Sequence, residues 1–250
     1  MTSDVSRSVM ITGAATGIGR ATALAFAERG DRVTIADIDA RAADTAAAIR
    51  EAGGRAQFIE CDVTDRAAVQ RVVDGALAAY GALDAAFNNA GVLPKPQPLH
   101  EVDAASLNLI LDVDLKGVFH CMQAQISHFL ESGGGAIVNT ASVAGIIADP
   151  EMSPYVAAKH AVVGMTKAAA VEYATRNIRV NAIAPGLVET PMTRAWLEDD
   201  AFRAAMFQHN ISGRAARPEE IAGTVLHLCS DAASFTNGAV FVVDGGHTAH

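Results

Sequence analysis

Residues 12–19 read Thr12-Gly13-Ala14-Ala15-Thr16-Gly17-Ile18-Gly19, between a short apolar run, Val9-Met10-Ile11, and a segment of helical period, Arg20–Arg29. Glycines at this spacing permit a tight turn, close approach of backbone to a ligand, and close packing of a helix on a strand. The helix after the loop offers its unpaired N–H groups and positive dipole end to an anion, which suits a pyrophosphate. A glycine cluster alone is a weak signal, because many are ordinary turns. Its strand–loop–helix setting near the start of the chain gives it weight.

The same alternation continues outward from the loop. Val33–Ala36, Gln57–Ile59, Ala85–Phe87, Ala136–Val138, Val180–Ile183 and Val240–Val243 join Val9–Ile11 as seven short, apolar runs. Such runs read as strands buried on both faces. Between them lie Arg41–Ala52, Arg66–Tyr80, Ala104–Leu130, Pro154–Thr175 and Pro218–Cys229, rich in Ala, Leu and Glu. Regular alternation implies right-handed crossovers and a parallel α/β sheet with helices on both faces. Without a long linker or a repeat, residues 1–250 read as a single domain. Leu187–Gly213 breaks the rhythm: it carries Met192, Trp196, Leu197, Phe202, Met206 and Phe207 and is a candidate lid over a substrate.

Composition narrows the partners. Half of the 250 residues are hydrophobic and 19% are charged, as in a soluble globular chain. The net charge of -9 shows no basic patch to neutralise phosphates, so no nucleic-acid partner is expected. Cys61, Cys121 and Cys229 are far apart and read as buried thiols of a reducing compartment. The first ten residues lack a secretion signal, and Ser132–Ala148 is too short and too polar to span a bilayer. The expectation is a cytoplasmic protein without a membrane partner.

Asp37 ends the second strand, eighteen residues past Gly19. A carboxylate there accepts hydrogen bonds from both adenosine ribose hydroxyls and repels a 2′-phosphate. Thr16 and Ile38 are neutral where a phosphate site would want Arg or Lys, so NAD is expected rather than NADP. The plainer alternative for Asp37 is a solvated strand-end carboxylate.

Tyr155 and Lys159 are four apart on a predicted helix and share one face. An ordinary phenol is a poor base at neutral pH, and a nearby ammonium favours the phenolate. Tyr-x-x-x-Lys by itself is commonplace. Ser142 adds to it, because it follows a strand at the C-terminal end, where open α/β sheets bind ligands.

Together these motifs resemble the classical short-chain dehydrogenases/reductases along nearly the whole chain. The matching pieces run in order: Thr12-Gly13-x-x-x-Gly17-Ile18-Gly19, Asp62-Val63, Asn88-Asn89-Ala90-Gly91, Ser142, Tyr155-x-x-x-Lys159, Pro185-Gly186 and Thr190-Pro191-Met192. The resemblance implies a seven-stranded, doubly wound, Rossmann-type fold and, commonly, a homotetramer. By position it implies that Asp62 and Val63 contact adenine and that Asn89, Ala90 and Gly91 pass the cofactor ribose. Pro185, Gly186, Val188 and Thr190 would hold the nicotinamide end, with Lys159 on the nicotinamide ribose. Ser142 and Tyr155 would hold the substrate oxygen, Tyr155 taking its proton in alcohol oxidation and returning it in ketone reduction.

One position departs from the family. Val113-Asp114-Leu115-Lys116-Gly117 carries Asp where the family usually has Asn, whose backbone carbonyl helps place a water between the lysine and solvent. Asp114 is therefore kept in the catalytic set, with an altered lysine environment expected; a helix-kink position tolerant of either residue is the alternative.

Eight histidines form no metal-ligand spacing, and His247 and His250 lie in the terminal tail, so no metal is expected. Glu151, Met152, Met192, Trp196 and Met206 are candidates for the substrate pocket with Ser142. Glu198, Asp199 and Asp200 cluster and are expected to face water, leaving the lid few charges for a substrate. A neutral, apolar alcohol or ketone, cyclic in one version, fits this lining. A 3-oxoacyl-thioester reductase of the same family, which would want NADPH and a basic entrance, and a silent dinucleotide-binding protein are the alternatives.

Overall fold

The computed structural model describes residues 6–207 and 211–249. Seven strands form one all-parallel sheet: β1 (Ser8–Thr12), β2 (Arg32–Asp37), β3 (Arg55–Glu60), β4 (Ala85–Asn88), β5 (Gly135–Thr140), β6 (Ile178–Pro185) and β7 (Val240–Val243). Their order is β3-β2-β1-β4-β5-β6-β7. All seven apolar runs are therefore strands. The order reverses between β1 and β4, and the crevice outside their carboxyl ends is where such sheets bind ligands.

Strand alternation divides the core into two layers. Val9 and Ile11 point into a cluster with Phe26, Ile49, Ile221 and Leu228; Met10, between them, points into the opposite cluster with Val72, Phe129 and Val162. The first layer is covered by α1 (Gly17–Glu28), α2 (Ala42–Glu51) and a helix at Pro218–Cys229. The second is covered by α3 (Arg66–Tyr80) and by helices at Val118–Ser132 and Ser153–Tyr173. α1 begins at Gly17, inside the glycine loop and three residues before the stretch whose period announced it.

The long helix expected over Ala104–Leu130 is broken. It forms α4 (Ala104–Ile110), a π-helical stretch at Leu111–Gly117, and α5 (Val118–Ser132). A π-turn inserts an extra residue and rotates the rest of the helix about its axis, a device frequent at functional sites. Here it turns Asp114 fully inward and seats Gly117 on Val63, where a Cβ would come within 2.6 Å of the valine. Periodicity alone misses this, because the apolar residues on both sides of the break are each compatible with an α-helix.

α6 (Ser153–Tyr173) carries Tyr155 and Lys159. The segment after β6 folds into two short helices, α7 (Arg194–Glu198) and α8 (Asp200–Phe207), and the chain then enters α9 (Pro218–Cys229). The base of this segment is clamped: Glu189 N donates to Ala216 O at 2.8 Å and Ala216 N to Leu187 O at 2.9 Å. Under the crevice, Asn88, Gln125, Asn139 and Thr166 form a buried neutral network across β4, α5, β5 and α6 with bonds of 2.7–3.0 Å. Among the described residues, no helix is long and apolar enough to cross a membrane.

Candidate active site

A cavity of about 960 Å³ opens at the carboxyl ends of the strands. Its lining reaches from the glycine loop to the tyrosine helix. Among the described candidate side chains and glycines, all but Gly19 border it. Gly19 is buried behind the loop, and the Met206 side chain, like that of Phe202, lies outside the described residues.

The glycine loop fits a dinucleotide phosphate because it has no room for side chains. Gly13 and Gly17 sit at φ +67° and +55°. A Cβ on Gly13 would meet the Ala90 Cα at 2.7 Å, and one on Gly19 would meet the Gly13 carbonyl oxygen at 2.1 Å. The loop is laced to β4 from both sides: Asn89 N and Ala90 N donate to Thr12 Oγ1 at 3.0 and 3.1 Å, and Asn89 Nδ2 donates to Gly13 O at 3.0 Å. Beyond it, Gly186 packs on Asp244 so closely that a Cβ would come within 2.9 Å. Thr16, Ile18 and Thr190 border the same opening, with Pro185 and Val188 lining its wall from the β6 end.

Asp37 stands at the end of β2, half-buried. Its Oδ2 accepts from Ala15 N at 2.8 Å and its Oδ1 from Asp39 N at 2.9 Å, so it braces the loop while its outer lone pairs face the cavity. Ile38 beside it is exposed. Asp62 Oδ1 accepts from Thr64 N and Oγ1, which orients the carboxylate at the cavity rim, with Val63 buried beneath.

At the other end, Ser142 caps a short 3₁₀ turn, its Oγ accepting from Ala144 N at 3.1 Å. Ser142 and Tyr155 line the same end of the cavity, and Ser142 acts to lower the phenol's pKa. Lys159 is buried. Its Nζ donates to Thr140 O at 3.1 Å, lies 5.3 Å from the centre of the Tyr155 ring, and pairs with Asp114 Oδ1 at 3.0 Å. Asp114 Oδ2 accepts from Val92 N at 3.1 Å. Burial pushes the Tyr155 phenol up from its ordinary value; Lys159 pulls it down, Asp114 pushes it up, and the net direction is upward. The ammonium expected to favour the phenolate is thus outweighed by burial. Burial pulls Lys159 down, but Asp114 and then Tyr155 push it up, and for this residue too the net is upward.

The substrate end is lined by Leu93, Pro96, Leu109, Val143, Met152, Met192 and Trp196, with Asp112, Asp149 and Glu151 among them. Glu151 holds φ +63°, a left-handed conformation rare outside glycine, and its carbonyl accepts from Gln97 N at 3.0 Å. Glu198, Asp199 and Asp200 are exposed, as expected. The same segment carries two basic residues: Arg203 pairs with Asp200 at 2.5 Å and Arg194 is exposed. Neither borders the cavity.

Sequence reasoning left His247 in the tail, yet it lines the cavity. Asp244 turns the chain there, accepting from Gly246 N, Thr248 N and Thr248 Oγ1 at 2.8 Å each, with Gly245 and Gly246 at positive φ. The Asp-Gly-Gly turn signal was the available clue. Among the described residues no group of three or more His, Cys, Asp or Glu is placed to hold a metal.

A parallel sheet with a glycine-rich loop that fits a phosphate, sharing one cavity with a Ser–Tyr–Lys set, defines a dinucleotide-binding oxidoreductase. The chain belongs to the short-chain dehydrogenase/reductase family: residues 13–248 match the family model described as enoyl-(acyl carrier protein) reductase. It is 46% identical over 243 residues, 97% of each chain, to cis-4-hydroxycyclohexanecarboxylate dehydrogenase of Sinomonas cyclohexanicum. It is 42% identical over 240 residues to cyclohexanol dehydrogenase of Acinetobacter sp. strain SE19, covering 96% of this chain and 94% of that one. The crystal structure of levodione reductase superposes with a TM-score of 0.92 at 38% identity, over 97% of this chain and 98% of the other. The protein is an alcohol dehydrogenase/ketone reductase that uses a nicotinamide dinucleotide.

Proposed function

We propose that this protein is an NAD-dependent dehydrogenase of neutral cyclic secondary alcohols, working in reverse on the ketones. The observation that carries the reading is the lining of the cavity shared by the glycine loop and Tyr155. Apart from Lys159, which is already paired, no lysine or arginine is among the described residues that line it. Asp37 at the ribose end and the lack of a cation there support NAD over NADP; Arg41, four residues on, is engaged by Asp39. Apolar walls with Asp112, Asp149 and Glu151 at the other end support a neutral substrate and oppose a carboxylate. The two dehydrogenase relatives are named for ring alcohols, which supports a ring here.

Ser142 and Tyr155 would bind the substrate oxygen. In oxidation Tyr155, as phenolate, accepts the hydroxyl proton at its phenolic oxygen; in reduction the phenol returns it. Lys159 would hold the nicotinamide ribose and, with the ammonium beneath the ring, favour the phenolate. Gly13, Gly17 and Gly19 would admit the pyrophosphate, Asp62 and Val63 the adenine, and Asn89–Gly91 the ribose between. When bound, the nicotinamide supplies the hydride acceptor for oxidation and the hydride donor for reduction. Leu187–Gly213 would close over the substrate as a lid on one domain spanning the chain.

Exposed Phe119 on α5 and the small-residue stripe Ala157, Gly164 and Ala168 on α6, ending at exposed Val171, support assembly through these helices into a homotetramer. Three buried, unpaired thiols support a cytoplasmic setting. The reading is tested by assaying cyclohexanol and 4-hydroxycyclohexanecarboxylate in parallel with NAD and NADP. Turnover of cyclohexanol with NAD, at least about tenfold more efficient than with NADP or with the carboxylate, is expected. Preference for the carboxylate or for NADP would overturn the corresponding half.

A further inference from the structure

The tyrosine–lysine set accounts for proton transfer, but it leaves unexplained a buried carboxylate on the far side of the lysine. Asp114 and Lys159 have side chains 1% and 3% exposed and stand 3.0 Å apart. The carboxylate is fixed from two directions: Val92 N donates to its Oδ2, and Gly91 leaves just enough room, since a Cβ there would come within 2.6 Å of Oδ1. The π-helical stretch that breaks the α4–α5 helix is what presents it inward. An ionised pair sealed from water in this way is a closed unit, and its field outside the pair is that of a dipole rather than of a charge.

This matters for the ring 5.3 Å from the ammonium. A lone Lys159 would act on Tyr155 as a full positive charge. The Asp114 carboxylate can lie no farther from the ring than the two measured distances laid end to end, so its opposing field cancels on the order of half or more of that pull. The charged and titratable groups facing Lys159 and Tyr155 are few. Asp114 comes from the π-helical stretch and Asp149 from the segment before α6, and both oppose the phenolate. His247 from the tail, Asp112 and Glu151 line the same cavity, and the 3₁₀ turn packed against Lys159, Val143–Gly145, carries no charge.

We propose that Asp114 is a positioning residue that holds Lys159 in a closed ion pair and thereby keeps Tyr155 protonated at neutral pH, so that alkaline solution is needed before Tyr155 can serve as the base in alcohol oxidation. The inference rests on Tyr155 being the acid/base group of the proposed reaction. It assigns the side chain of Asp114, not its backbone, an electrostatic part in setting the pH at which Tyr155 becomes a base.

Two measurements separate its failure from failure of that reading. The first needs no turnover: phenolate absorbance of the ligand-free protein is titrated against pH, and the Tyr155→Phe titration is subtracted to leave Tyr155. Wild-type Tyr155 is expected to ionise above the ordinary tyrosine range, and in Asp114→Asn about one pH unit lower than wild type. Asp114→Glu, which restores the charge, is expected to move back toward wild type. The second is the pH profile of kcat/KM for cyclohexanol oxidation, whose rising limb is expected to shift toward acid by a similar amount in Asp114→Asn. A folded Asp114→Asn protein whose phenolate titration and rate profile coincide with wild type overturns the proposal, even if its melting temperature has fallen. If that variant does not fold, a wild-type Tyr155 that ionises at or below the ordinary range overturns it equally.

Discussion

The two ends of the cavity are built in opposite ways. The dinucleotide end is made of backbone: Gly13, Gly17 and Gly19 bring main chain to main chain, and Thr12 and Asn89 stitch the loop to β4. The opposite end is made of side chains from distant segments: Leu93 and Pro96 after β4, Asp114 from the π-helical stretch, Asp149 to Met152 before α6, Trp196 from α7 and His247 from the tail. Backbone walls have no slack, whereas side-chain walls can be exchanged while the frame stands. Tyr155 and Lys159, the residues proposed to carry the chemistry, line the cavity where the two meet.

That contrast can be broken most severely at the meeting point. Tyr155→Phe is expected to lower kcat by about 10³-fold or more while NAD still binds, as read by steady-state rates alongside calorimetric titration. Near-normal turnover in that variant would remove Tyr155 from the acid/base role. At the backbone end, Gly19→Ala puts a methyl group onto the Gly13 carbonyl, a clash with main chain that no rotamer relieves. Dinucleotide affinity is expected to fall about 10–100-fold, equivalent to roughly 1–3 kcal/mol of strain. Unchanged affinity would show the loop to be looser than its geometry.

Asp37→Asn probes a side chain within the backbone-built end. It keeps an acceptor for Ala15 N or Asp39 N but loses the charge that repels a 2′-phosphate, so the ratio of NAD to NADP efficiency is expected to drop about tenfold. A ratio that does not move would assign the preference elsewhere.

The smallest effect is expected far from the site, at the start of α9. Glu220 accepts from Arg217 N at 2.8 Å and from Arg214 at 2.7 and 2.8 Å, and these partners hold its carboxyl down at about 2. Its contribution to stability is therefore present above the ordinary glutamate range near 4.5 and is lost as pH falls toward 2. Glu220→Gln is expected to lower the melting temperature slightly at neutral pH and to leave the difference from wild type vanishing in acid. A difference independent of pH would contradict the ion pair as its source.

Legibility divides along the same line. All seven strands were readable because each is a short apolar run between segments of helical period, and Arg66–Tyr80 and Pro218–Cys229 match helices α3 and α9 end to end. The glycine loop was readable because its residues are consecutive. The break in the Ala104–Leu130 helix was not, since no proline marks Leu111–Gly117, where the backbone hydrogen bonds lengthen to a π-helical span. Glu151 and Met152 were reachable as neighbours of Tyr155 in sequence; Leu93, Pro96 and His247 were not, since nothing local marks them as neighbours in space.

By itself, then, the sequence determined the α/β alternation, the phosphate cradle and the Tyr155–Lys159 pair, all of which depend on residues within a few positions of one another. Only the tertiary structure decided that Asp114 meets Lys159 at 3.0 Å, that burial outweighs the ammonium at Tyr155, and that the tail returns His247 to the cavity. Charge–charge energies and desolvation depend on distance and burial in the packed molecule, and chain order specifies neither.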